Sequence, residues 1–458
     1  MSRNLSIVIY AVTGVFFALF FVYPIGHTVR EAFVNPEGGI TFSYVGEVFS
    51  NPIYVEGLIN SFYMGLFSTL LSLLIALPLA LMANHWNFAG KEILNSLVLV
   101  PLILPPFVGA LGIRQILGQA GVLNAFLIDL GLMNAQSPVD WLGEGRLLGV
   151  VLMNALHLYP IAYLNISAAL ANVDPAMEEA AENLGCVGLR RLFRVTLPLI
   201  MPGLFAGATI IFIWSFTELG VPLIFDFTRV TSVQIFHGIK DLSGNPFPYA
   251  LVVVMLFATL CFYLLGKWLF GKDIGASSGR AATGRMLKPA GTGASLLCIG
   301  SFLGVTFLAI LPHLGVILLS ISERWYGTIF PKEFTSQHYI DALGHPLTLL
   351  SIGNSLKYAS LATATNVILG IAIAYVVVRT KLPGRQFLDA MAMMPLAVPG
   401  LVLAFGYLAM TREGQPFDFL ILGENPILIL VIAYAVRRLP YVVRSAAAGF
   451  QQTSVSLE

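Results

Sequence analysis

The order of apolar and polar residues along the chain predicts a membrane protein built from helices. Long apolar runs recur from one end to the other, and each has about 20 residues, the length that a helix needs to cross a bilayer. Ten runs are predicted to span the membrane, at residues 5–25, 62–83, 94–113, 147–170, 197–219, 249–270, 296–321, 356–378, 388–408 and 426–443. The predicted fold class is therefore all-α, a polytopic bundle of about ten transmembrane helices.

The orientation of the bundle follows from the polar segments between these runs. The first run could be a signal peptide, but it is longer than a typical apolar signal region and no A-x-A-like cleavage site follows it, so we expect an uncleaved anchor. Segments on the side of the amino terminus carry more Lys and Arg than the longer segments on the other side. Because these side chains resist translocation, the amino terminus is predicted to lie in the cytoplasm.

The composition agrees with a membrane protein and excludes some partners. The chain is 57% hydrophobic and only 11% charged, which is too apolar a composition for a soluble globular protein. A net charge of +1 argues against nucleic acid as a partner, since phosphate binding needs an excess of basic residues. Cys186, Cys261 and Cys298 lie far apart, with no spacing suited to a metal site, and we interpret them as small core residues.

Two stretches of the chain repeat each other without gaps at an offset of 294 residues. Residues 60–112 match residues 354–406, and the matched pairs include Asn60 with Asn354, Ser61 with Ser355, Gly90 with Gly384, Pro101 with Pro395, Pro105 with Pro399 and Gly112 with Gly406. Matched Asn, Pro and Gly residues at one offset indicate an internal duplication. An even number of spans separates the copies, so both are expected to share one orientation, with a transport pathway between the halves.

The two copies define the predicted domains. The first half is expected at residues 1–270 with six spans, and the second at residues 294–458 with four. A segment rich in Gly, Ala and Ser joins them at residues 271–293, and its composition is typical of a flexible cytoplasmic linker.

A motif lies in the cytoplasmic loop between the fourth and fifth spans. It begins at Glu179-Ala180-Ala181, continues with Gly185 and ends at Leu197-Pro198. Asp174 and Pro175 are typical of a helix start, and Gly185 is predicted to end that helix. The three residues E-A-A alone would be better interpreted as a solvated helix, but the spacing to the Gly and the Leu-Pro favours a specific function.

This loop resembles the EAA loop of the permeases of binding-protein-dependent ABC importers. The resemblance covers the whole chain, and fused permeases for ferric iron, thiamine and aminoethylphosphonate share its duplicated organisation. It implies a type I importer permease fold in a bacterial inner membrane. It also implies that Glu179, Ala180, Ala181, Gly185, Leu197 and Pro198 form the loop that meets a separate ATPase.

The resemblance further implies the partners and the solute. An ABC ATPase homodimer would bind on the cytoplasmic side and use ATP and Mg²⁺, and a periplasmic or lipid-anchored binding protein would deliver solute. This chain has no G-x-x-x-x-G-K-[ST] run, so it is predicted to be no enzyme and to bind no cofactor itself. The ferric-iron branch looks most similar, while thiamine, aminoethylphosphonate and polyamine remain alternatives.

The second half stops where its own copy of the loop is due. Pro160 matches Pro440 at an offset of 280, and on that register Glu178 falls on Glu458, the last residue. We expect a truncated chain, with a natural end at this position as the alternative.

Charged residues within the spans are the candidates for a solute path. Thr217 and Glu218 lie near the outer end of the fifth span, and Arg437 and Arg438 lie inside the tenth. Glu218 could line a watery path or snorkel to the interface, and the arginines could have structural partners instead. An ion-coupled secondary transporter would need such charges, so it is the rival function, and a membrane enzyme is a weaker one. The polar residues Asn154, His157 and Asn165 are interpreted as interhelical hydrogen-bonding groups, and no metal site is predicted.

Overall fold

The structure is a computed structural model that describes residues 3–35, 37–143, 146–239, 245–270, 287–421 and 425–453. Within these ranges the chain is helical apart from loops and two strands of two residues each. The predicted all-α membrane bundle is confirmed. Most of the linker, residues 271–286, and the last residues, including Glu458, lie outside the described ranges.

The helices of the first part of the chain are α1 (Arg3–Phe17), α2 (Tyr23–Phe33), α3 (Ser43–Ser50), α4 (Pro52–His85), α5 (Lys91–Leu97), α6 (Val100–Ile103), α7 (Pro106–Leu117), α8 (Val122–Asp129), α9 (Leu147–Ala171), α10 (Pro175–Asn183), α11 (Gly188–Arg191), α12 (Leu197–Phe216), α13 (Gly220–Ile224), α14 (Thr231–Gly238) and α15 (Phe247–Phe270). Those that follow the linker are α16 (Thr292–Ser320), α17 (Gln337–Gly344), α18 (Pro346–Arg379), α19 (Arg385–Ala397), α20 (Gly400–Met410) and α21 (Ile427–Gln452). The strands are β1 (Trp86–Asn87) and β2 (Lys288–Pro289), which pair in parallel.

Eight helical segments of the described residues are long and apolar enough to cross a membrane. They lie at Leu5–Phe33, Pro52–His85, Pro106–Asp129, Leu147–Ala171, Gly188–Ile224, Phe247–Trp268, Thr292–Ser320 and Pro346–Arg379. A ninth is possible if α19 and α20, which meet at an angle of 97°, form one broken span. The helix α21 has the predicted position of the tenth span, but its three arginines keep it out of the apolar set.

The third and ninth predicted spans are broken at matched positions. Leu104 and Val398 each precede a proline and have extended backbone, with ψ of 134° and 130°. The ring of a following proline disfavours the α conformation, so helix α6 ends before Pro105 and helix α19 ends before Pro399. The sequence repeat therefore corresponds to the same local break in both copies.

The helices form two compact units. The boundaries of these units differ from the boundaries of the two copies in the sequence. One unit takes the described residues of Met1–Val55, Gln234–Phe257 and Ile340–Glu458, and the other takes Glu56–Val233 and Ala258–Tyr339. The first span, α1 and α2, thus packs with the helices of the second copy. The helix α16, which opens the second half of the sequence, packs with α7 and with α5, α6 and α9 of the first copy.

Each unit has its own apolar interior. In the second unit, α4, α9, α12 and α16 enclose one cluster that includes Tyr159, Ile166 and Phe302, all fully buried. In the first unit, α2 packs on α20 and α18 packs on α21. The hydroxyl of Tyr407 in α20 donates to the carbonyl of Phe20 at 2.6 Å, which ties the first span to the second copy.

Candidate functional site

The predicted motif folds as two short helices between α9 and α12. Residues 174–198 are called the coupling segment below. The side chain of Asp174 accepts a hydrogen bond from the backbone N–H of Ala176 at 2.9 Å, and Pro175 is the first residue of α10. Both residues therefore have the helix-starting roles that the sequence predicts.

Gly185 ends α10 in the way the motif requires. Its φ is +78°, in the left-handed region that residues with a side chain rarely adopt. Its N–H donates to the carbonyl of Glu182, and the N–H of Cys186 donates to the carbonyl of Ala181, both at 2.9 Å. These two bonds define a Schellman motif, which satisfies carbonyls that the end of a helix leaves free.

One face of α10 is held against the end of the coupling segment. Glu178 and Ala181 are buried, and the hydroxyl of Thr196 donates to the Glu178 carboxylate at 3.1 Å. Glu182 forms an ion pair with Arg191 of α11. Thr196 directly precedes Leu197 and Pro198, which open α12 and are partly buried, so α10 is joined by side chains to the start of the next span.

The coupling segment also carries exposed side chains, several of which are large and apolar. Ala180 of the motif is exposed on α10, and Glu179 is exposed beside the polar cavity described below. Five large apolar side chains of the segment are exposed, with exposed fractions of 51% for Met177, 87% for Leu184, 61% for Val187, 72% for Leu189 and 63% for Phe193. The sequence motif did not identify these residues. Large apolar side chains in a loop that is otherwise rich in charged residues could have indicated them. Such side chains on an aqueous surface are typical of a protein interface.

A polar cavity of about 140 Å³ lies beside the inner face of α10. Charged residues of the coupling segment line it together with His85, at the end of α4, and Lys288 of β2. The pairing of β2 with β1 places Lys288 there, so the end of the predicted linker is a paired strand. Lys91 is nearby in sequence and donates to the carbonyl of Trp86 at 3.3 Å, and partial burial lowers the pKa of its ammonium.

The candidate path residues of the tenth span contact backbone and aromatic groups. Arg437 is partly buried and donates from Nη1 to the carbonyls of Pro395 and Val398, both at 2.8 Å. These carbonyls end α19 just before the break at Pro399. Arg438 is exposed, and its guanidinium lies 5.9 Å from the centre of the Tyr441 ring, within cation–π range.

The first copy has a matching interaction. The Nδ1–H of His157 in α9 donates to the carbonyl of Pro101 at 2.8 Å. His157 corresponds to Arg437 and Pro101 to Pro395. In both copies, therefore, a side chain at the matched position of α9 or α21 donates a hydrogen bond to the helix that ends at the break. The interhelical hydrogen bond predicted for His157 is confirmed, whereas Asn165 donates within its own helix, to Ile161.

The side chains of Glu218 and Thr217 form hydrogen bonds with backbone groups close to them in the sequence. The Glu218 carboxylate accepts from the N–H groups of Gly220 at 2.9 Å and Val221 at 3.2 Å, at the start of α13. The Thr217 hydroxyl donates to the carbonyl of Ile213 at 2.8 Å. A role of either residue in a solute path stays a prediction. Within the described ranges, no group of three or more His, Cys, Asp or Glu side chains is placed to hold a metal ion.

Comparison with known proteins assigns the family. The sequence profile described as "Binding-protein-dependent transport system inner membrane component" matches residues 72–272, which include the coupling segment. A probable molybdenum ABC transporter permease protein of Haloferax volcanii is 30% identical over 207 residues, or 45% of this chain and 72% of that protein. The chain belongs to the family of inner membrane components of binding-protein-dependent transport systems, and the resemblance inferred from the motif is confirmed.

Two further relatives are matched over almost the whole chain. A putative ferric transport system permease protein, FbpB 1 of Haemophilus influenzae, is 26% identical over 442 residues, covering 92% of this chain and 64% of that protein. The ferric transport system permease protein FbpB of Actinobacillus pleuropneumoniae is 27% identical over 442 residues, covering 91% of this chain and 58% of that protein. The chain thus spans about three fifths of the length of these relatives.

Proposed function

We propose that this chain is the membrane-spanning subunit of an ATP-driven importer and that its coupling segment docks on a separate ATPase. The exposed apolar side chains of this segment carry the proposal, namely those of Met177, Leu184, Leu189 and Phe193. Desolvation of large apolar side chains supplies most of the affinity of protein interfaces. Glu179, which is exposed and lines the neighbouring polar cavity, would add a charge that orients the partner.

The inner face of α10 would transmit the movement of the ATPase. Thr196 and Arg191 join α10 to the residues that lead into α12, and only the short turn 172–174 separates α10 from α9. A displacement of α10 would therefore reach two spans at once.

Transport would follow an alternating-access cycle. A periplasmic or lipid-anchored binding protein delivers solute from outside, and an ATPase homodimer closes when it binds ATP and Mg²⁺. Because each ATPase arrangement favours one state of the permease, ATP binding shifts the equilibrium between inward and outward access. This chain is a transporter subunit and not an enzyme in this scheme, and its amino terminus lies in the cytoplasm.

Ferric iron is the solute that we propose, because the relatives matched over most of the chain are ferric permeases. Thiamine, 2-aminoethylphosphonate and polyamine remain as alternatives. Vesicles that contain the permease, its ATPase and its binding protein should accumulate radioactive ferric iron more rapidly than the other three solutes. Preferred uptake of another solute would contradict the choice of iron and leave the importer function intact.

Docking is tested by co-purification with the ATPase of the same transport system. Leu184→Asp and Glu179→Ala should each reduce the amount of ATPase that is retained. Glu92→Ala is the matched control, since it also removes an exposed carboxylate but Glu92 lies on α5, outside the coupling segment. Equal retention by all three variants would contradict the proposed surface. Uptake driven by an ion gradient without ATP would instead support the secondary transporter.

A further inference from the structure

The end of the linker is tied to the loop between α4 and α5. Lys288 of β2 is in register with Trp86 of β1, and the N–H of Ala290 donates to the carbonyl of Asn87 at 2.9 Å. These residues and the coupling segment all belong to the second unit. The backbone pairing therefore fixes the position of Lys288 beside the end of α4.

This position is also next to the coupling segment. Lys288 lines the polar cavity of about 140 Å³ together with Arg191 of α11 and with Glu178, Glu179 and Glu182 of α10. Three carboxylates and two cations thus share one small space, and one of the cations comes from the linker. Opposite charges in a small cavity attract each other more strongly than charges on an open surface, because less water lies between them. Lys288 is therefore placed to offset the negative charge of α10.

Two of the three carboxylates already have partners in the coupling segment. Glu182 forms an ion pair with Arg191, and Glu178 accepts a hydrogen bond from the hydroxyl of Thr196. Within the described ranges, neither the carboxylate of Glu179 nor the ammonium of Lys288 has a partner of this kind. The cavity therefore holds two unpaired charges of opposite sign, one on α10 and one on the linker.

The second copy has a cation of its own at the matched place. At the offset of 294, Arg379 corresponds to His85, which ends α4 and lines the cavity. The guanidinium of Arg379 donates to the carbonyl of Thr453 at 2.7 Å, and Thr453 corresponds to Val173 at the offset of 280. A permanent cation thus joins the ends of α18 and α21. The first copy has a histidine at that place, and the cation there is the lysine of the linker.

We propose that Lys288 is a positioning residue of the coupling segment: the pairing of β2 with β1 holds it in the cavity, where its ammonium attracts the carboxylate of Glu179 and keeps α10 against the end of α4. The linker thereby fixes the orientation of the element that docks on the ATPase. The inference rests on the proposed function for this last role, whereas the positioning itself can be measured without the ATPase.

The test measures backbone hydrogen exchange of α10 in the full chain in lipid nanodiscs, without the ATPase. Lys288→Gln removes the charge but keeps the backbone pairing, and it should make the exchange several-fold faster. Lys288→Arg keeps the charge and should exchange like the parent protein. Lys381→Gln is the matched control, since Lys381 is an exposed lysine in the loop of the second copy that corresponds to β1. It should also exchange like the parent protein.

A reversal of both charges separates attraction from packing. Lys288→Glu should exchange at least as rapidly as Lys288→Gln, because the new carboxylate repels those of α10. Addition of Glu179→Lys to Lys288→Glu should slow the exchange again, because the two side chains then have opposite charges. Equal exchange in the parent protein and Lys288→Gln would overturn the proposal, and so would the absence of any recovery in the double variant.

Co-purification with the ATPase distinguishes failure of this inference from failure of the proposed function. Lys288→Gln should retain several-fold less ATPase than the parent protein, and Lys288→Arg should retain the same amount. If the exchange responds as expected but Leu184→Asp retains all of the ATPase, the docking surface is wrong and the positioning stands. If Leu184→Asp loses the ATPase but Lys288→Gln exchanges like the parent protein, the positioning alone is overturned.

Discussion

Gly112 of α7 lies directly against the backbone of Pro312 in α16. A side chain at this position would overlap the Pro312 carbonyl oxygen. The matched glycine, Gly406 of α20, has the same relationship to Pro24 of α2, whose carbonyl oxygen would lie 2.8 Å from an added Cβ. Each copy of the repeat therefore packs its glycine on a proline in the first span of the other copy. Close approach of two helix backbones explains why both positions are glycine.

We predict that Gly112→Ala and Gly406→Ala both destabilise the protein. Overpacking a tight contact costs about 1–3 kcal/mol, because the two helices must move apart. Gly304→Ala is the control: Gly304 lies on α16, an added Cβ meets no atom within 4 Å, and alanine favours helix. Thermal unfolding in detergent should show a lower midpoint for the first two variants and an unchanged or higher one for the control. A midpoint for Gly112→Ala equal to that of the control would contradict the close contact.

Replacement of Gly185 should weaken the coupling segment according to the tolerance of the new residue for positive φ. An ordinary L-residue in the left-handed region costs about 1–2 kcal/mol, and Asn costs less. We expect limited proteolysis at residues 183–188 to be fastest in Gly185→Val, slower in Gly185→Asn and slowest in the parent protein. Retention of the ATPase should be lowest in Gly185→Val, intermediate in Gly185→Asn and highest in the parent protein. If Gly185→Val and Gly185→Asn behaved alike, the φ of +78° would not be the reason for glycine.

Loss of Arg437 should leave two carbonyls at the end of α19 without their donor. Each unsatisfied buried acceptor costs about 1–3 kcal/mol, so Arg437→Met, which keeps an unbranched apolar stem but has no donor, should lower the unfolding temperature clearly. Arg438→Met should have a small effect, since an exposed cation–π contact contributes about 0.5–1 kcal/mol. Normal stability with lost solute uptake in Arg437→Met would instead assign the arginine to the solute path.

Glu218 can be tested with a pair of variants that separate capping from a charge in the path. Gln keeps a carbonyl oxygen that can accept from Gly220 and Val221, whereas Ala removes the acceptor. If the role is capping, Glu218→Gln should retain stability and uptake, and Glu218→Ala should lose stability by about 0.5–2 kcal/mol. A loss of uptake in Glu218→Gln at unchanged unfolding temperature would show that the negative charge itself is needed.

The local elements were predicted well, but the internal breaks of two spans were missed. Runs of apolar residues located most of the spans, and the capping residues Asp174, Pro175 and Gly185 located α10. The predicted spans at 94–113 and 388–408 ignored the effect of Pro105 and Pro399 on the residue before each. That signal was present in the sequence, since a proline restricts its neighbour wherever it occurs.

The candidate site was predicted in part, because the motif marks positions without showing their faces. Glu179 and Gly185 were identified, but the exposed residues Leu184, Leu189 and Phe193 were not. Adjacent residues of one short helix point in different directions, and only the packing of Glu178 and Ala181 against the rest of the segment decides which face is free.

The sequence by itself determined the all-helical membrane bundle, the duplication and the coupling motif, because apolar length, proline and glycine act through the local chain. The tertiary structure decided that the first span of each half packs with the other copy, as the pairs of Gly112 with Pro312 and Gly406 with Pro24 demonstrate. It also decided that Arg437 and His157 meet the carbonyls of a broken helix. These contacts join residues far apart in the chain, and side-chain size and hydrogen bonding select them only once the helices are packed.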